Sequence, residues 1–142
     1  MANQPDWLQQ RSAAIPLIID NDGIKVVLIT TKPKKNDNWI FPKGQVELNM
    51  TAFDSAAKEA FEEAGVIGQI NPVQFDEYQH KKWGGNMSVK VYTLEVSQIL
   101  DQWPEMRDRH RQIVSLENAI DLVQSVQKNT LIKLKQKHFN TI

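Results

Sequence analysis

The chain has 142 residues, 41% of them hydrophobic and 24% charged, which is the make-up of one ordinary folded domain with a full core and excludes a disordered chain. Seventeen basic residues balance seventeen acidic ones, so bulk attraction to nucleic acid or to an acidic membrane is not what organises this protein. With no cysteine, disulfides, thiolate catalysis and zinc–thiolate sites are all excluded.

The first ten residues, Met1 to Gln10, are polar and contain no apolar signal-peptide core, and the apolar run Ala13 to Ile19 is too short to span a bilayer. Both features point to a cytoplasmic protein. Residues 12–20 and 24–31 are rich in β-formers, and Asn21-Asp22-Gly23 between them predicts a hairpin. Residues 32–38 form a polar loop carrying Lys32, Lys34 and Lys35, followed by a short strand, Trp39-Ile40-Phe41, that Pro42 stops.

Thr51, with Asp54 three positions on, resembles a capping box, and Gly65 is a natural terminator, so the spacing predicts a helix from Ala52 to Ala64. Phe53, Ala56, Ala57, Ala60, Phe61 and Ala64 fall on one apolar stripe; Asp54, Lys58, Glu59, Glu62 and Glu63 lie off it. Two long β-type segments follow, about 69–82 and 86–97, around Trp83-Gly84-Gly85. Arg107, Arg109 and Arg111 alternate ahead of Gln112-Ile113-Val114; on a strand they would share one face, suited to bidentate capture of phosphate. Ser115 caps a helix with the stripe Leu116, Ala119, Ile120, Val123, and a last helix carries Leu131, Ile132 and Leu134. Strands and helices in this order predict a mixed α/β sandwich in one domain.

The chemistry concentrates on the first helix. Glu59 and Glu63 are like charges at i,i+4 spacing, which a helix disfavours, and Glu62 stands between them. A hard divalent cation such as Mg²⁺ is the economical counter-charge. Read alone, such glutamates are an ordinary solvated helix face.

The segment Gly44-Gln45-Val46-Glu47-Leu48-Asn49-Met50, continued by Lys58-Glu59-Ala60-Phe61-Glu62-Glu63-Ala64-Gly65-Val66, closely resembles the Nudix box, G-x5-E-x7-R-E-U-x-E-E-x-G-U with U a bulky apolar residue. The box spans residues 44–66, and the strand order around it is consistent with a single Nudix-like α/β/α sandwich with a mixed β-sheet over residues 1–142. Met50 stands where the pattern has Glu, and Lys58 where it has Arg. Lys keeps the charge and loses the planar fork; Met50 cannot accept a salt bridge. Trp39-Ile-Phe-Pro ahead of the box and Trp103 with Arg109-His110-Arg111 after it resemble the diphosphoinositol polyphosphate phosphohydrolase branch, which also hydrolyses diadenosine polyphosphates.

That resemblance implies a Mg²⁺- or Mn²⁺-dependent hydrolase of a phosphoanhydride. Glu59 and Glu63 would ligate the metal, Glu62 would be a ligand or the general base, and the Lys43-Gly44 loop would offer a backbone carbonyl and a close approach for phosphate. Arg11, Lys32, Lys34, Lys82 and Arg109, with Lys128 a looser match, would hold the polyanion. The partner is then a small polyphosphate, not nucleic acid or membrane. Glu77 and Glu95 are candidates for an outer metal ligand, His80 and His110 for a general acid, and Trp83 for stacking on a base. Two alternatives remain open: a nucleoside triphosphate pyrophosphohydrolase, and a Nudix-fold module that binds a nucleotide or inositol phosphate without hydrolysis, which the Met50 and Lys58 departures favour.

Overall fold

The computed structural model describes residues 10–32, 38–82 and 85–140. The strands are β1 (Gln10–Asp20), β2 (Gly23–Thr30), β3 (Trp39–Ile40), β4 (Lys43–Gln45), β5 (Val66–Ile70), β6 (Asp76–Lys82), β7 (Gly85–Ile99) and β8 (Arg111–Ser115). The helices are α1 (Ala52–Ala64), α2 (Leu116–Leu122) and α3 (Ser125–Asn140). All eight strands join one sheet with the central order β3-β2-β1-β7-β5, while β4 pairs with β1, β6 with β7 and β8 with β2. The sheet is mixed, because β1 and β7 run parallel, with Ala13 opposite Val91, and the other pairings are antiparallel.

The sheet is buried on both faces, which explains why β1 and β2 read as continuous apolar runs. Ala13, Ile15 and Leu17 of β1 and Val26 and Leu28 of β2 face α2 and α3, packing with Leu116, Val123, Leu131 and Leu134. Their neighbours Ala14, Val27 and Ile29 face the other way, against Ala56, Ala60 and Ala64 of α1. The alanine stripe lets α1 lie close to the sheet. The α/β/α sandwich expected from sequence is the observed architecture.

Local signals hold where short-range chemistry decides. The hairpin closes with Asp20 opposite Gly23. Thr51 caps α1, its hydroxyl accepting from the Asp54 amide at 3.1 Å, and Gly65 ends it in the left-handed conformation at φ 65°. Ser115 caps α2 in the same way as Thr51.

Three expectations change. The segment 69–82 is not one strand: an Asx turn, in which Asn71 Oδ1 accepts from the Val73 amide at 3.0 Å, together with Pro72, separates β5 from β6. Lys43 to Gln45 is a strand rather than a loop, because it pairs with β1. The stripe on α1 packs on the sheet through Phe53, Ala56, Ala57, Ala60 and Ala64, but Phe61 is 38% exposed, and Ser55 and Glu63 off the stripe are buried.

Beneath the sheet α3 is tied to β6 and to the β3–β4 junction. Asp76 accepts from Thr130 and Lys133; burial alone would raise its carboxyl, and these two hydrogen bonds outweigh it and hold it low. The fully buried Gln127 accepts from the Phe41 amide at 2.8 Å and donates to the Phe41 carbonyl at 3.2 Å, two residues before Lys43.

Candidate metal and phosphate site

The site is built where the C-terminal half of α1 meets β4. The amide of Lys43 donates to Oε1 of Glu63 at 3.2 Å. Gly44 lies directly against Glu59: a Cβ there would stand 2.6 Å from Oε1 of that carboxylate. This close approach is the physical reason for glycine at position 44. Glu59 and Glu63 stand one turn apart on α1, and burial raises both carboxyls, which favours a proton on the pair. Burial, first, and the neighbouring Glu59 carboxyl push the Glu63 carboxyl up to about 9, against the downward pull of the Arg109 guanidinium. Burial is also the first cause that raises Glu59, with the charges of Glu62, Glu105 and Glu47 adding to it and the neighbouring Glu63 carboxyl opposing.

Glu62 does not join this pair; it turns toward Lys58, with Oε1 3.7 Å from Nζ. Among the described residues no three Asp, Glu, His or Cys side chains form a ready-made metal cage. The donor set nevertheless suits Mg²⁺, which takes one or two carboxylates and completes its shell with water and substrate phosphate. The Glu59 and Glu63 carboxylates, seated against the backbone of Lys43 and Gly44, are the candidate place for such an ion.

Segment 100–110 closes the other side, and it is fastened to the end of α1. The Glu105 amide donates to the Glu62 carbonyl, Trp103 Nε1 to the Glu63 carbonyl and Arg111 to the carbonyls of Ala64 and Leu100, each at 2.9–3.0 Å. Arg111 also stacks on the Trp103 ring at 4.0 Å. Carbonyls that a helix end leaves unpaired are thus satisfied by this segment and by Arg111, which follows it, and the segment delivers Glu105 and Arg109 to the carboxylate pair.

Arg109 is only 10% exposed in its side chain and spends each of its nitrogens on protein: Nε on Glu105 at 2.9 Å, one terminal nitrogen on the Thr30 carbonyl at 2.8 Å, the other 3.5 Å from Glu63. Lys32 meets Glu105 at 2.9 Å. Burial would raise Glu105, but Lys32 and Arg109 hold it low. The expected arginine face is therefore not formed. Arg107 is exposed in a turn, Arg109 is turned inward, and Arg111 is the one that starts a strand, because β8 begins only at that residue.

The other expected residues are dispersed. Arg11, on the α3 side of β1, donates from Nε to Met87 Sδ at 3.0 Å. Lys128 follows Gln127 on α3 and is half-buried. Lys34, Lys35, Trp83 and the side chain of Lys82 lie outside the described residues. His110 is exposed and its amide donates to Thr30 Oγ1, while His80 lies on β6 opposite Met87. The charge of Glu105 acts on both carboxyls of the pair. Of the two candidates for an outer ligand, Glu77 stands opposite Lys90 on β6, and Glu95, on β7, opposite Gln69 of β5. The sequence gives Glu105 no direction, because it sits in an irregular segment without periodicity, and Glu47 falls on an unspecified position of the box.

A NUDIX domain profile matches residues 8–134. Similar proteins include Nudix hydrolase 13, mitochondrial, of Arabidopsis thaliana, 32% identical over 114 residues that make 73% of this chain and 56% of the relative. Diphosphoinositol polyphosphate phosphohydrolase 3-beta of Bos taurus is 30% identical over 124 residues, 84% of this chain and 72% of the relative. The chain spans about half the length of the plant relatives it matches. Its fold is similar to a crystal structure of the C. elegans Ap4A hydrolase, with a TM-score of 0.71 and 19% identity, covering 89% of this chain and 96% of that one. No helix of the described residues is long and apolar enough to cross a membrane. With the box spacing, the sandwich and the matched profile in agreement, the chain belongs to the Nudix family, and residues 8–134 are its NUDIX domain.

Proposed function

We propose that this chain is a Mg²⁺- or Mn²⁺-dependent hydrolase that cleaves a phosphoanhydride bond in a diphosphoinositol polyphosphate or a diadenosine polyphosphate, acting as a single Nudix domain. The observation that carries the reading is the Glu59–Glu63 pair held against the backbone of Lys43 and Gly44. A divalent ion bound there supplies charge neutralisation of the phosphates and lowers the pKa of water. Glu59 and Glu63, with a backbone carbonyl at Lys43 or Gly44, would hold it. Glu62, which lies beside Lys58 and outside the pair, would accept a proton from the attacking water. Lys32 and Arg109, with Lys34 and Lys82, would orient the polyanion and take no part in bond breaking; Arg11 and Lys128, expected beside them, lie on the α3 side of the sheet, across from α1. For Arg109 that role requires an exchange: phosphate oxygens must replace Glu63 or Glu105 as its acceptors.

The substrate class is supported by the names of the relatives, one a diphosphoinositol polyphosphate phosphohydrolase and one an Ap4A hydrolase, and by the basic residues that the family resemblance assigns. A nucleoside triphosphate calls for fewer cations and more base contacts. Cytoplasmic location is part of the same proposal, alongside plant relatives named mitochondrial and chloroplastic.

The test is phosphate or nucleotide release from a panel of diphosphoinositol polyphosphates, dinucleoside polyphosphates and nucleoside triphosphates, with and without Mg²⁺. Turnover of the first two classes, abolished by chelation, is expected. Glu59→Gln should lower kcat by about a hundredfold or more while the thermal midpoint holds. One observation favours a non-catalytic binding module: Arg109 already lends positive charge to Glu63. Tight ligand binding with no release under either condition would establish that module instead.

A further inference from the structure

Lys58 is gripped from outside its helix. Its Nζ lies 2.9 and 2.8 Å from the two carboxylate oxygens of Glu47 and 3.7 Å from Oε1 of Glu62. Glu47 belongs to the turn that leads into α1, and its backbone is fastened on both sides. The Met50 amide donates to the Glu47 carbonyl at 3.1 Å, closing a turn in which Asn49 takes a left-handed φ of 67°. The Glu47 amide donates at 3.1 Å to the hydroxyl of buried Ser55, one turn into the helix. The backbone from which the Glu47 carboxylate reaches Lys58 is therefore fixed on both sides.

The pair is a poor source of stability, because both side chains are about two-fifths exposed, at 42% and 41%. Its consequence is directional. Glu47, Met50 and Glu59 line one open cleft of about 530 Å³ at the end of β4. An unpaired ammonium on a flexible four-carbon stem at Lys58 would be drawn toward the carboxylates that remain, Glu62 and Glu59. Shared between Glu47 and Glu62, it stays beside Glu62. Met50, whose position in the box pattern belongs to Glu, offers Lys58 no carboxylate; Glu47, three residues earlier in the same turn, does.

We propose that Glu47 is a positioning residue that acts through Lys58, holding the ammonium against Glu62 and away from Glu59 so that Glu59 stays open to a divalent ion. The proposal rests on the hydrolase reading above. On this account the loss of a carboxylate at position 50 leaves the site equipped, because the carboxylate has been relocated.

A double-mutant cycle of Glu47→Gln, Lys58→Gln and the two combined tests it, read by Mn²⁺ affinity from the EPR signal of the free ion and by kcat and KM on a hydrolysed polyphosphate. Glu47→Gln should weaken Mn²⁺ binding and lower kcat, each about fivefold to tenfold, with KM and the thermal midpoint nearly unchanged. In the Lys58→Gln background the same change should have no further effect. Glu47→Gln combined with Met50→Glu, which returns a carboxylate to the turn, should recover most of the loss. Additive effects in the cycle would mean that Glu47 acts by its own charge and would overturn the proposal, as would an unaffected Glu47→Gln variant or failure of the combined variant to recover. If the unmodified protein binds Mn²⁺ and turns over while Glu47→Gln changes nothing, this proposal alone falls. If the unmodified protein neither binds Mn²⁺ nor releases phosphate, the hydrolase reading falls and takes the proposal with it.

Discussion

Arg109 and Glu63 stand 3.5 Å apart across the gap between segment 100–110 and α1, both nearly closed off from solvent at 10% and 6% side-chain exposure. The contact joins a residue of the helix that carries the box to one that lies far beyond it in sequence. It makes the guanidinium a resident counter-charge on a carboxylate pair suited to a metal.

Removing Arg109 should therefore be felt in stability. Arg109→Met deprives Glu105 and the Thr30 carbonyl of a charged donor. A loss of about 2 kcal/mol is expected, seen in a urea melt as a lower midpoint with an unchanged slope. A midpoint equal to that of the unmodified protein would show that Lys32 alone satisfies Glu105.

The Glu59–Glu63 pair predicts proton release on metal binding. Glu63 is raised from about 4.5 to about 9, so between those values the folded protein keeps a proton that the unfolded chain has given up. The sign follows: without metal, this group's contribution to stability is whole below pH 4.5 and falls as pH rises toward 9. Metal needs the pair deprotonated, so its apparent affinity should rise with pH through the same window. Calorimetry of Mg²⁺ or Mn²⁺ binding at pH 7 in buffers of different ionisation enthalpy should report about one proton released; none released would contradict a protonated Glu63.

Gly44→Ala isolates the close approach of backbone and carboxylate. The new methyl would meet Glu59. Because that contact is the end of a side chain, the fold should survive with a thermal midpoint within a few degrees, while Mn²⁺ affinity drops about tenfold or more. Unchanged affinity would mean that Glu59 has room to move without leaving the site.

Gln127→Leu tests support of the site from the far side of the sheet. The change leaves the buried amide and carbonyl of Phe41 without their partner, which costs about 2–3 kcal/mol. Phe41 leads directly into Lys43, so a rise in the Mg²⁺ concentration needed for half-maximal turnover should accompany the lower denaturation midpoint. Lowered stability with an unaltered Mg²⁺ requirement would confine Gln127 to a packing role.

Some of this was legible residue by residue. The caps of α1, the hairpin at Asn21-Asp22-Gly23 and the carboxylate spacing of Glu59, Glu62 and Glu63 are short-range features, fixed by neighbours within a few positions. The burial of Glu63 was not legible, because an apolar stripe marks the face turned to the sheet and says nothing of a second face covered by a distant loop. The arginine triplet misled for the same reason: alternation implies one face only if the residues are in a strand, and β8 starts too late.

The sequence by itself determined the family, the helix that carries the carboxylates and the two places where the box departs from its pattern, since each depends on residue identity at close spacing. Only the tertiary structure decided that Glu63 is buried beside Glu59, that Glu105 and Arg109 stand over the pair, and that the carboxylate facing Lys58 is that of Glu47. Those relationships come from chain segments brought together by sheet pairing and by the fastening of segment 100–110 to the end of α1, and no local spacing encodes where such segments meet.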